Sequence, residues 1–166
     1  RGPQILAFDD VIYILEGPGE YDYNYYDNKR PVVALTEKGI EEVFEGVERA
    51  VYSKFVITDN IPYYIFNVTE NGMEVIRSVN LLTKEISVLK SILETGGIRN
   101  IEITPSSLLI DVIAHKYDST CGGFSPVDLM YFSDDVEKIY TSCVGDSYKL
   151  VTDSIILGVI NEDRED

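Results

Sequence analysis

The chain contains no tryptophan, one histidine, two cysteines, two methionines and 14 lysines and arginines among its 166 residues. Each shortage narrows the chemistry. With His115 as the one imidazole, a zinc site is not expected, and any Ser/His/Asp or Cys/His unit would have to use this residue. His115 follows the apolar run Leu108 to Ala114 and reads as a histidine at a strand end rather than a catalytic base. The absence of indole removes the stacking surface that sugar-binding clefts commonly use. No stretch of about 18 apolar residues exists, which excludes a helical membrane span. The start Arg1-Gly2-Pro3-Gln4 has no signal-peptide apolar region and looks like a cut made inside a longer chain.

Positive charge is scarce as well. Twenty-nine acidic residues against 14 basic ones give a formal charge of −15 and a sequence pI near 4.3. Such a surface repels phosphate backbones and anionic lipid, and the basic residues are scattered, Lys29-Arg30 being the closest pair. Nucleic acid is not expected as a ligand. A basic protein would be steered toward the chain, at a rate that falls as salt rises.

At this length, and with 45% hydrophobic residues, the expectation is one domain over residues 1–166. Short apolar runs rich in Val, Ile, Tyr and Phe, broken by Gly, Pro, Asn and Asp, predict a mainly β fold. The expected strands are Gln4 to Leu15, Pro31 to Thr36, Ala50 to Thr58, Tyr63 to Val68, Glu74 to Asn80, Ile86 to Ile92, Ile98 to Thr104, Leu108 to His115 and Tyr148 to Val159. Asn71-Gly72 supplies the positive φ of a tight hairpin, so Tyr63 to Ile92 reads as a three-stranded antiparallel meander. Two short helices are expected. In one, Ile40, Val43, Phe44 and Val47 fall at helical spacing; in the other, Ser125-Pro126 caps a segment leading into Leu129 to Ile139. No repeat period is apparent. Nine strands with a turn about every ten residues fit a two-sheet antiparallel sandwich, a propeller requiring more chain.

Catalytic raw material is thin. Gly17-Pro18-Gly19, Gly96-Gly97 and Gly122-Gly123 are turn elements, none in a nucleotide-binding pattern, and no cofactor or metal is expected. The carboxylate pairs Asp9-Asp10, Glu41-Glu42 and Asp134-Asp135 leave a glycosidase-type site as a minor alternative. The segment from Glu16 to Asn28 is different. It holds four tyrosines (Tyr21, Tyr23, Tyr25, Tyr26) and four carboxylates (Glu16, Glu20, Asp22, Asp27) in 13 residues without a Lys or Arg. Gly17-Pro18-Gly19 makes it a loop, and rings beside carboxylates suit Arg and Lys partners through cation–π contact and ion pairing. The competing view packs Tyr21, Tyr23 and Tyr25 on one face of a strand. The candidate partner-binding residues are therefore this loop, with Asp9 and Asp10 next.

Two features bear on compartment. Asn67-Val68-Thr69 is an N-glycosylation sequon. Cys121 and Cys143 either remain buried thiols or close a 23-residue loop worth roughly 3 kcal/mol. The acidity, the tyrosine-acid loop after the first strand and the cysteine-bearing C-terminal third resemble the poxvirus chemokine-binding family, in particular the SECRET domain of viral decoy tumour necrosis factor receptors. That resemblance implies a secreted β-sandwich that sequesters basic chemokines and blocks receptor engagement. The family's single-domain members carry more cysteines, so the disulfide framework departs from theirs. The alternative is an intracellular acidic interaction protein that mimics nucleic acid and occupies a DNA-binding partner, and free thiols would favour it. Replacing Tyr21, Tyr23, Tyr25 and Tyr26 by Ser preserves net charge. If the rings take part, partner affinity measured by calorimetry falls; an unchanged value leaves charge alone.

Overall fold

A computed structural model describes residues 3–15, 29–47, 50, 52–93, 95, 97–113, 127–133, 136–142, 147–152 and 155–159. Among these, the chain is strand and turn, with no helix. Four strands form the first sheet: β1 (Gln4–Phe8), β2 (Val11–Leu15), β3 (Val32–Thr36) and β4 (Gly39–Phe44). The second holds β5 (Ser53–Thr58), β6 (Ile61–Glu70), β7 (Met73–Asn80) and β8 (Ile86–Leu93). The third holds β9 (Ile98–Ile103), β10 (Ser107–Ile113), β11 (Val127–Ser133) and β12 (Val136–Ser142), and β13 (Ser147–Thr152) pairs with β14 (Ile155–Val159). Every pairing is antiparallel and joins strands consecutive in the chain.

The chain divides into two compact units, Arg1–Glu94 and Thr95–Asp166. In the first unit the two sheets share one core. Tyr13, Leu15, Val32, Ala34 and Phe44 of the first sheet pack with Tyr64, Phe66, Val68, Val75 and Val79 of the second. The rings of Phe44 and Phe66 stack at 5.4 Å, and Tyr64 lies 5.5 Å from Phe66 and 5.6 Å from Phe55. Each such pair contributes about 0.5–1.5 kcal/mol beyond the area it buries. β1 and β5 are further tied by Gln4 Nε2 donating to the Ser53 carbonyl at 2.9 Å. In the second unit, Leu109, Leu129 and Tyr131 form a smaller cluster, and the Ser107 and Tyr131 hydroxyls are 3.2 Å apart.

The mainly β expectation holds, as do the Asn71-Gly72 hairpin (φ 53° and 73°) and the meander around it. Among the described residues the strands are shorter and more numerous than expected: fourteen in four sheets instead of nine in two. Inside the first unit two sheets share a core. What was read as one strand, Gln4 to Leu15, turns back at Asp9-Asp10, and Tyr148 to Val159 is likewise a hairpin. Both predicted helices are strands. β4 replaces the first because register shifts between Val32 and Val33, and the extra residue opposite them leaves Val43 and Phe44 buried side by side. That bulge imitates helical spacing. Gly39, at φ 119°, also has a backbone no helix uses. In place of the second helix, β11 and β12 pair from Val127↔Ser142 to Ser133↔Val136, and Asp134 and Asp135 lie outside the described residues.

A repeat emerges that composition hid. The sheets open at Gln4, Ser53 and Ile98, intervals of 49 and then 45 residues, and each is a four-stranded meander in chain order. The first two share a turn device: Asp9 (φ 49°) and Asp59 (φ 50°) each take the left-handed backbone that short polar side chains tolerate. Glycine is demanded more strictly at Gly46 (φ 81°), where a Cβ would stand 2.2 Å from the Arg30 carbonyl oxygen. Gly46→Ala should lower stability by about 3 kcal/mol or more. At Gly72 nothing lies within 4 Å of the added carbon, and the cost should stay near 1 kcal/mol. Urea unfolding of both variants measures the contrast.

Candidate functional site

The tyrosine-acid loop, with Glu16, Glu20, Tyr21, Asp22, Tyr23, Tyr25, Tyr26 and Asp27, lies outside the described residues, as do Cys121 and Cys143. Asp9 and Asp10 are described. They form the exposed two-residue turn between β1 and β2, set by the pairing of Phe8 with Val11. Glu37-Lys38 makes the equivalent turn between β3 and β4, since Thr36 pairs with Gly39. Thr36 Oγ1 braces it, accepting from the Lys38 N–H at 3.2 Å and donating to the Gly39 carbonyl at 3.2 Å. The two turns border a hollow of about 560 Å³ lined by Asp10, Val11, Thr36, Glu37, Lys38, Gly39, Ile40 and Glu41.

The hollow is acidic, with Asp10, Glu37 and Glu41 against Lys38 in its lining. Glu41 is paired with Lys84 from the β7–β8 connection, and the same ammonium reaches the Glu42 carbonyl at 3.4 Å. The hydrogen bond from Lys84, then its charge, holds the Glu41 carboxyl below its ordinary value. Burial, reinforced by the Asp9 carboxylate, pushes the Tyr13 phenol up. Lys84 is positioned by Asn80, whose Oδ1 accepts from the N–H groups of Leu82 and Thr83 at 3.0 and 3.2 Å. Glu41 and Glu42 are successive strand residues and point to opposite sides of the sheet, so they do not form a catalytic pair.

Beside the hollow lies a surface the sequence reading did not find. Pairing aligns Ala7, Ile12, Leu35 and Ile40 in one row across all four strands. Ile5, Ile14, Val33 and Glu42 make the adjacent row on the same side. This is the side opposite the core. Ile5 is 65% exposed and Ile40 75%, with Ile12 and Leu35 at 40%. A period-two pattern that is apolar on both sides was the available signal, hidden by reading β1 and β2 as one strand.

The sequon is not a surface site. Asn67 is 0% exposed, its Nδ2 donates to Glu74 Oε2 at 2.6 Å and its Oδ1 accepts from the Tyr52 N–H at 2.7 Å. The side chain a glycan would need is consumed inside the fold. A second buried polar group, Asp111 on β10, faces Arg99, the residue added where β9 and β10 shift register. Asp111 Oδ1 and Arg99 Nη1 are 3.9 Å apart and both lack a hydrogen-bond partner. Burial raises the Asp111 carboxyl, and the Arg99 charge offsets part of that rise.

Among the described residues, no cluster of His, Cys, Asp or Glu is arranged to hold a metal. No helix there is long and apolar enough to cross a membrane. No protein-family model and no curated protein matches the sequence. Among solved structures, the chain is similar to the β-propeller domain of the Trilobed protease from Pyrococcus furiosus, described as having an open velcro topology. The TM-score is 0.49 and the identity 16%, over 90% of this chain. The chain spans 46% of that structure's length. A likeness of this strength says nothing of activity or partner.

Two measurements follow from these buried groups. Asn67→Ala leaves the Glu74 carboxylate and the Tyr52 amide short of a partner, and should cost about 2–4 kcal/mol in urea unfolding. Asp111 has its folded pKa above its unfolded value, so the folded state binds the proton more tightly and stability falls as pH rises out of the carboxylate range. The urea midpoint of Asp111→Asn should therefore gain on that of the parent between about pH 4 and pH 7.

Proposed function

We propose that the protein is a non-catalytic binding module for a basic protein. The observation that carries this reading is the charge of −15, which leaves a local excess of carboxylates (Asp9, Asp10, Glu37, Glu41, Glu42) over Lys38 and Lys84 at one edge of the first sheet. Such a field attracts cations from several ångströms away and repels nucleic acid and anionic lipid. The apolar rows beside it supply contact area that salt does not screen. Steering by the acidic edge followed by apolar contact is a common division of labour at protein interfaces.

Secreted chemokines are the partner class implied by the resemblance to the poxvirus chemokine-binding family, and they are basic and small enough to seat on one sheet. The finer fold implied by that resemblance, a single two-sheet sandwich, belongs to the same proposal. The meanders in chain order favour a different elaboration, in which each four-stranded sheet is one repeat.

Titration of the purified chain against a chemokine panel at 50 mM salt tests the reading. Micromolar or tighter binding that weakens at 300 mM salt is expected; no binding at either salt removes it. Reduction under denaturing conditions with mass measurement tests the compartment. A gain of two hydrogens would mark a Cys121–Cys143 disulfide and favour secretion.

A further inference from the structure

The first sheet is apolar on both sides, and among the described residues its outward side is the exposed one. Its core side meets the second sheet through Tyr13, Leu15, Val32 and Phe44. The second sheet is buried on both faces. On its core side Phe66 is 0% exposed; on its far side Ile65 and Ile76 are also 0% exposed. The first sheet has the same two-sided pattern, yet Ile5, Ile12, Leu35 and Ile40 stand in solvent. Scattered exposed apolar residues need no explanation, but Ile12, Leu35 and Ile40 align with Ala7 in one row, and Ile5 stands in the row beside it, so the four lie on one continuous patch.

We propose that this outward face is where the basic partner docks, stacking an apolar β-sheet face of its own on Ile5, Ile12, Leu35 and Ile40 while its Lys and Arg side chains meet Asp10, Glu37 and Glu42 at the margin. The inference rests on the basic-partner reading and specifies the surface and the partner's contact chemistry. Size sets the need for both components. Four strands about 4.8 Å apart and about five residues long cover roughly 300 Å². A stable complex generally needs about 800 Å² per partner, so the patch must be extended over its charged margin. Charge selects the partner. A second copy would bring Asp10, Glu37 and Glu42 against the same carboxylates, with −15 on each molecule. A different chain with a basic margin meets both the apolar centre and its rim.

The test uses the full chain and compares Ile5→Asn/Ile40→Asn with Val88→Asn/Leu93→Asn. Val88 and Leu93 are equally exposed apolar residues, on β8 (59% and 76%). All four positions are open to solvent, so both variants should keep the parent's circular dichroism and urea midpoint. Each is titrated with the chemokine panel and with cytochrome c, a basic protein outside that class. Affinity should fall at least about tenfold for the Ile5/Ile40 variant and stay within about twofold for the β8 variant. Equal affinity for parent and Ile5/Ile40 variant, or a larger loss in the β8 variant, overturns the surface assignment and leaves the basic-partner reading intact. No binding of any probe by the parent removes that reading and this inference with it. Parent self-association in sedimentation velocity, abolished by Ile5→Asn/Ile40→Asn, would make a second copy the occupant and also overturn the proposal.

Discussion

A four-stranded antiparallel sheet of short strands pairs its inner backbone groups but buries almost nothing by itself, so its stability comes from what covers its faces. That requirement governs this chain. Within each sheet every strand pairs with its neighbour in the chain, several through two-residue turns such as Asp9-Asp10, Glu37-Lys38, Asp59-Asn60 and Asn71-Gly72, which keeps each sheet local in sequence. In the first unit the need is met on one side by interlocking Phe44, Tyr64 and Phe66, and by the Gln4 to Ser53 tie between the two opening strands. On the other side of the first sheet it is not met. The exposed isoleucine row is the residue of an architecture built for covered faces.

Polar groups are handled by the same economy. Asn67 bridges the Tyr52 amide and the Glu74 carboxylate, and so continues the hydrogen-bonding of the second sheet beyond the start of β5. Lys84 closes the edge of β4 from the side by pairing with Glu41 and the Glu42 carbonyl. A lysine at an edge strand also discourages further strand pairing there. The outward face, and not that edge, is then the available surface of the first sheet.

Much of the fold was legible in residue order, and what was missed has specific causes. Asn71-Gly72 announced its hairpin because both residues favour positive φ, and the surrounding runs of Tyr, Val and Ile set the strands. Asp9-Asp10 was overlooked because Asp-Asp is a weaker turn signal than Asn-Gly, although Asp9 takes the same left-handed backbone as Asn71. The same Asp-Asp ambiguity attached a catalytic alternative to Asp134-Asp135, which lie outside the described residues. A bulge opposite Val32 and Val33 disguised β4 as a helix. Burial of Asn67 could not be read from a sequon, because the three residues carry no information about which face of β6 they occupy. The acidic character of the candidate site was visible in composition. Its apolar half appeared only when register aligned residues 7, 12, 35 and 40.

The central claim is that an apolar, acid-rimmed sheet face receives a basic protein, and the most direct measurement places a photo-crosslinking residue at position 40 or at position 88. With a bound chemokine, position 40 should give the covalent adduct and position 88 should not. Adduct from position 88 alone, or from neither position while binding is saturated, would contradict the account.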